Sequence, residues 1–211
     1  ELRETWLQNT TLLKAHEDGM VFKFVSRDEY RKKEESGFLD DLRKEFGDFY
    51  LVPEGGTNKL AITGCAEILG SGDEQFDFIC TSVGTGGTVA GLINSSFPHQ
   101  KVLGFSSLKG DFLKDDIKKI ANNNRWEVIS EYHFGGYAKI SQELIHFIND
   151  FKVQTDIPLD PIYTGKMMFG LLDMVKHDTF AKGTKILAIH TGGLQGIAGM
   201  NSVLKKKKLP L

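Results

Sequence analysis

Residues 76–92 read Phe-Asp-Phe-Ile-Cys-Thr-Ser-Val-Gly-Thr-Gly-Gly-Thr-Val-Ala-Gly-Leu, and no other stretch narrows the possible folds as much. An apolar run rich in β-formers enters a turn dense in glycine and hydroxyl groups, which opens into residues able to begin a helix. Strand, tight loop and helix N-terminus in that order let backbone N–H groups hold a multiply charged anion. Glycine is required because amides converge on one anion only through backbone conformations that a Cβ obstructs. Val83, Gly84, Thr85, Gly86, Gly87 and Thr88 are therefore the candidate anion-binding residues, with the Thr85 and Thr88 hydroxyls as further donors. A glycine-rich turn without a ligand is the simpler alternative. The stretch has neither the Gly-Lys-Ser/Thr ending of a nucleotide P-loop nor the Gly-x-Gly-x-x-Gly spacing of a dinucleotide site.

The rest of the chain alternates strand and helix patterns. A helix is expected over residues 9–17, ended by Gly19, then a strand over 20–25 and a helix capped by Ser26 with Asp28 and Glu29 in its first turn. Residues 37–46 read as helical, 49–52 as a strand stopped by Pro53, and 60–69 as a helix after the loop Glu54-Gly55-Gly56-Thr57-Asn58. A strand over 101–105, a charged helix over 111–122 and a short extended segment at Val128 and Ile129 follow. Residues 132–139, too aromatic and glycine-rich for an ordinary linker, are either a packed turn with surface tyrosines or part of a site. Helices over 141–151 and 167–175 bracket the break at Pro158 and Pro161, and the strand over 185–190 runs into Thr191-Gly192-Gly193. This repetition predicts a largely parallel sheet flanked by helices, with its loops gathered at the edge where α/β proteins place ligand sites.

The 211 residues suffice for one large α/β domain, or for one domain and part of another. A net charge of −2 gives no general reason to bind nucleic acid, and Lys205, Lys206, Lys207 and Lys208 read as a solvated tail. Cys65 and Cys80 lack metal-site spacing and read as reduced core residues of a cytoplasmic protein, and the histidines form no metal signature. No apolar stretch has the length to span a bilayer, and no secretory signal pattern is visible. The opening at Glu1 without methionine is read as processing, an omitted terminus, or a substantial N-terminal portion lying upstream.

Three motifs in order, Thr81-Ser82-Val83-Gly84-Thr85-Gly86-Gly87-Thr88, Leu159-Asp160-Pro161-Ile162-Tyr163-Thr164-Gly165-Lys166 and His190-Thr191-Gly192-Gly193, closely resemble the 1-aminocyclopropane-1-carboxylate deaminase and D-cysteine desulfhydrase family. These are pyridoxal-phosphate enzymes of the tryptophan-synthase-β-like fold, and the resemblance runs from near Glu1 to near Met200. It implies a three-layer parallel-sheet α/β domain over 47–211 that binds the cofactor, preceded over 1–46 by the end of a smaller α/β domain. It further implies that Gly84 to Thr88 cradle the cofactor's phosphate and that Thr164 faces its pyridine nitrogen. Thr191 and Gly192 would border the cofactor, and Tyr137 and Tyr163 would stand near the substrate as the candidate catalytic residues. Turn formation and ordinary packing are the alternatives for Thr164 and Tyr163. Lys166 and Lys59 read as solvated or supporting charges, because the resemblance places the Schiff-base lysine upstream of Glu1.

For the intact protein the resemblance implies β-elimination from D-cysteine or a related small amino acid, giving pyruvate, ammonia and sulfide. Ring-opening members of the family carry glutamate at the position of Thr164, and a neutral hydroxyl does less to stabilise a protonated pyridine. The alternatives are deamination of 1-aminocyclopropane-1-carboxylate and a non-catalytic fragment that keeps only the phosphate-binding region. A cytoplasmic homodimer without nucleic-acid or membrane partners completes the expectation.

Overall fold

The computed structural model describes residues 2–205, so Lys206, Lys207 and Lys208 of the expected tail lie outside the described residues. The chain divides into two compact units at the Val52–Pro53 bond.

The first unit is helical: α1 (Leu2–Thr5), α2 (Thr10–Glu17), α3 (Arg27–Arg31) and α4 (Ser36–Phe46). Its helix starts follow from capping chemistry, since the Asn9 side chain accepts from the Thr11 and Leu12 amides. Ser26 and Glu29 close a reciprocal capping box that satisfies two amides which the helix itself cannot. Residues 20–25, expected as a strand, pair with nothing: the unit holds no second strand among the described residues, so their apolar pattern has no ladder to join. Ring contacts hold the segment instead, with Phe22 edge-on to Trp6 at 5.5 Å and the Arg3 guanidinium donating to the Phe24 carbonyl. Residues 49–52 are likewise not a strand, and Phe49, Tyr50, Leu51 and Val52 are all exposed.

In the second unit a four-stranded, all-parallel sheet runs in the order β3-β2-β1-β4, with β1 at Phe78–Val83, β2 at Lys101–Ser106, β3 at Trp126–Ile129 and β4 at Ile186–Ala188. The register places Cys80 between Leu103 and Ala188. Helices α5 (Lys59–Cys65), α6 (Gly87–Ser95), α7 (Phe112–Ile120), α8 (Gln142–Thr155), α9 (Thr164–Lys176) and α10 (Gly196–Leu204) complete the unit.

Alternate side chains of β1 point to opposite faces, which divides the core in two. Ile79 and Val83 pack with Leu92 of α6 and Ile117 of α7, whereas Cys80 packs with Phe105 and with Met167 and Leu171 of α9. A third cluster of Leu144, Ile148 and Leu159 joins α8 to α9. Burial on both faces explains why the strands read as nearly continuous apolar runs, and each fully buried aliphatic side chain contributes about 1.5–3 kcal/mol. The expected three-layer α/β sheet is therefore present. Residue 91 fixes how closely α5 approaches α6, because only a glycine leaves room for Cys65 there. Among the described residues no helix is long and apolar enough to cross a membrane, and no cluster of His, Cys, Asp and Glu could hold a metal ion.

Candidate functional site

Beyond the carboxyl end of β1 the chain turns through Gly84, Thr85 and Gly86 into α6. Gly86 adopts φ +93°, a left-handed conformation that costs little only without a Cβ. Its carbonyl receives the first helical bond, from Ala90 N at 3.0 Å, so the preceding amides of α6 have no partner within the helix. Gly84 and Gly87 answer a different need, that of space. A Cβ on Gly84 would lie 3.2 Å from the Tyr163 ring, and one on Gly87 would lie 2.8 Å from Thr57 Oγ1.

These residues form one wall of a cavity of about 360 Å³. Of the residues singled out in the sequence, Val83, Gly84, Thr85, Gly86, Gly87, Thr88, Tyr163, Thr191 and Gly192 all line it. Thr191 reaches it from the end of β4, where its hydroxyl lies 3.3 Å from Ser82 Oγ. Among the described residues no Asp, Glu, Lys, Arg or His is in the lining. Free helix-terminal amides, hydroxyls and the positive end of the α6 dipole suit a phosphate group without a competing carboxylate.

A second part of the lining was not foreseen. Gly55, Gly56 and Thr57, with Ala61 and Cys65 of α5, also line the cavity, packed directly beside the cradle. Thr57 and Thr85 share a hydrogen bond of 2.6 Å between their hydroxyls, and a Cβ on Gly55 would lie 2.6 Å from Thr85 Cγ2. The signal was in the composition, since Gly55-Gly56-Thr57-Asn58 repeats the glycine-and-hydroxyl chemistry of the cradle just before a helix. Cys65, read from sequence as a core residue, is half-buried and lines the cavity. Cys80 is the core thiol, and burial pushes its pKa up to about 12.

Tyr163 owes its place to Asp160. This buried carboxylate accepts from the amides of Ile162, Tyr163 and Thr164 at 2.8 Å each and from the Thr164 hydroxyl at 2.7 Å, so one side chain folds the whole turn into α9. Asp160→Asn is expected to lower stability by about 2 kcal/mol, because an amide NH2 would confront a buried donor that has lost its acceptor. Chemical denaturation checks this, and an unchanged midpoint would show that the turn is held by other means.

Two further residues read from the sequence, Thr164 and Lys166, are buried. Thr164 does not line the cavity: it is fully buried, its hydroxyl donating to Asp160 and accepting from the Asp160 amide at 3.0 Å. Of the two readings of Lys166, solvated or supporting, the structure leaves the supporting one. The side chain is 1% exposed, and its Nζ donates to the carbonyls of His133 at 2.9 Å and Gly136 at 2.8 Å. Burial brings its pKa down to about 8, with Asp160 acting in the opposite direction. Lys59, by contrast, is exposed.

Tyr137 is 57% exposed and meets Tyr163 edge to face, with ring centroids 6.2 Å apart. Burial, followed by the neighbouring Tyr137 phenol, raises the pKa of Tyr163 to about 12. Tyr163 is therefore a neutral hydrogen-bond donor at physiological pH and not a base.

No family model matches the chain. Individual relatives do match it. A protein of Pyrococcus horikoshii named "Putative 1-aminocyclopropane-1-carboxylate deaminase" is 33% identical over 174 residues, covering 74% of this chain and 53% of the relative. The Arabidopsis thaliana mitochondrial bifunctional D-cysteine desulfhydrase/1-aminocyclopropane-1-carboxylate deaminase is 30% identical over 204 residues, covering 85% of this chain and 51% of the relative. A crystal structure described as an ACC deaminase homologue superposes with a TM-score of 0.79 at 26% identity, covering 92% of this chain and 65% of that one. The chain is homologous to the 1-aminocyclopropane-1-carboxylate deaminase and D-cysteine desulfhydrase family.

It spans about half the length of the curated relatives it matches. The parallel α/β domain is the tryptophan-synthase-β-like fold of this deaminase family. Threonine deaminase isoform 2 from Solanum lycopersicum shares that fold more distantly, with a TM-score of 0.56 at 16% identity over 94% of this chain and 59% of that one.

Proposed function

We propose that the protein to which this chain belongs is a pyridoxal-phosphate-dependent lyase or deaminase of a small amino acid, with the cofactor's phosphate held between Val83 and Thr88. The observation that carries this reading is the cavity itself: unpaired amides at the start of α6, glycines where a Cβ would intrude, and a lining without charged side chains. Bound there, the cofactor supplies an electron sink for charge developing at the substrate's Cα.

The chain's own residues hold and orient. The first amides of α6 and the hydroxyls of Thr85 and Thr88 bind the phosphate, with Thr57 fixing the Thr85 rotamer. Thr191 and Gly192 close the side beyond β4. Tyr163, backed by Tyr137, offers a neutral phenolic hydroxyl as a hydrogen-bond donor that orients the substrate; with its pKa raised to about 12 it is a weaker acid than a free phenol, so orientation rather than proton transfer is its role. No lysine lines the cavity among the described residues, so in this reading the reacting lysine comes from the part of the relatives that this chain does not match. A cytoplasmic homodimer is the assembly we attach to this reading, on family resemblance alone.

The names of the relatives weigh toward 1-aminocyclopropane-1-carboxylate as substrate. The second reading, β-elimination from D-cysteine, is favoured by Thr164, which by the resemblance stands where ring-opening members carry glutamate. The experiment is to titrate the full-length protein with pyridoxal phosphate, follow the visible absorbance, and then add each amino acid. Ammonia with a four-carbon keto acid identifies ring opening, whereas sulfide with pyruvate identifies elimination. A full-length protein whose spectrum never changes with the cofactor would remove the basis for both.

A further inference from the structure

Residues 132–139 contain two consecutive tight turns. The first closes from Gly136 N to the His133 carbonyl at 3.0 Å, the second from Lys139 N to the Gly136 carbonyl at 3.1 Å. Phe134, Gly135, Gly136 and Ala138 all have positive φ, at 52°, 96°, 113° and 54°. Two of these are not glycine and hold a left-handed conformation that L-residues avoid unless their surroundings impose it.

Those surroundings come from α9. The Tyr132 hydroxyl donates to Asp173 at 2.8 Å, and the Phe134 ring packs edge-on to Phe169 at 5.0 Å, which ties down the first half of the loop. The second half, which carries Tyr137, is tied by the Lys166 ammonium, and the two carbonyls it binds are the same two that close the turns. Lys166 lies in the first turn of α9, three residues after Tyr163. One buried side chain thus links the backbone that positions Tyr163 to the backbone that positions Tyr137, and the two rings meet beside the cavity.

We propose that Lys166 is a positioning residue, whose buried ammonium holds the strained double turn so that Tyr137 meets Tyr163 and an amino-acid substrate is oriented against the pair. This rests on the cavity being the reaction site, but hydrogen exchange tests the positioning without assuming any activity. In the full-length wild-type protein the Gly136 and Lys139 amides should be protected despite lying in irregular structure. In Lys166→Met, which keeps an unbranched chain but loses charge and donors, amides 135–139 should exchange about tenfold faster or more while β1 and β2 are unchanged. Tyr132→Phe, which cuts only the anchor at the loop's start, should leave amides 136–139 near wild type.

Freely exchanging wild-type amides at 136 and 139 would overturn the proposal, as would an unaltered loop in Lys166→Met. The wild-type measurement stands even where that variant fails to fold. For the orienting role, Lys166→Met should lower kcat/KM about twentyfold with cofactor affinity kept, yet lower it no more than about twofold in a Tyr137→Ala background. Full additivity in that cycle would show that Lys166 does not act through Tyr137. A wild-type protein inactive on both amino acids would refute the functional reading and leave the exchange result to decide the positioning.

Discussion

Thr85→Asp is expected to weaken pyridoxal phosphate binding by the full-length protein about a hundredfold while leaving its stability unchanged or slightly higher. Thr85 is exposed at the lip of the cradle, so a side chain of similar size meets no steric obstacle there. Its hydroxyl already shares a bond with Thr57, and an aspartate oxygen could accept from the same partner. A carboxylate two residues before α6 also interacts favourably with the helix dipole, by about 0.3–1 kcal/mol. The phosphate dianion meets the reverse. At an effective dielectric constant of about 20, a single negative charge a few ångströms away costs on the order of 3 kcal/mol. Thr85→Asn, nearly the same shape without the charge, should lose less than about tenfold. Cofactor titration together with urea denaturation separates the two effects. Equal affinity in wild type and Thr85→Asp would mean that the anion lies elsewhere.

Gly91→Val is expected to destabilise the protein by about 3 kcal/mol or more, read as a lower urea midpoint. The first added carbon would lie 2.4 Å from Cys65 Cβ, 2.7 Å from the Cys65 carbonyl carbon and 2.8 Å from the Ile62 oxygen. Two of these are backbone atoms of α5, so no rotamer change relieves the contact, and α5 must move away. Better helix propensity returns only a few tenths of a kcal/mol, because valine gains far less over glycine than alanine does. Overpacking wins by a wide margin. Ala61 and Cys65 ride on the displaced helix, so the cavity should widen and cofactor affinity fall with stability. A variant with wild-type midpoint and affinity would contradict the close approach of the two helices.

The β1-loop-α6 unit was legible because its information is local: a β-forming run, glycines where amides must converge, then a helix start. Residues 20–25 and 49–52 carried the same apolar signal and formed no strand, because composition does not reveal whether a neighbouring ladder exists. Long-range pairs were the least visible. Nothing near Thr57 announces a bond to Thr85, and nothing near Lys166 announces carbonyls 33 and 30 positions away. Asp160 was read as part of a proline-flanked break, although its carboxylate organises the following turn through four short bonds. Thr164 matched a family motif in sequence, yet that same carboxylate takes up its hydroxyl.

The neutrality of the cavity walls bears on how a guest would be retained. A site lined by lysine or arginine loses its grip as dissolved ions crowd in, whereas amide dipoles fixed by a helix act at contact range, where such screening is weak. Brine should therefore leave the occupant largely in place.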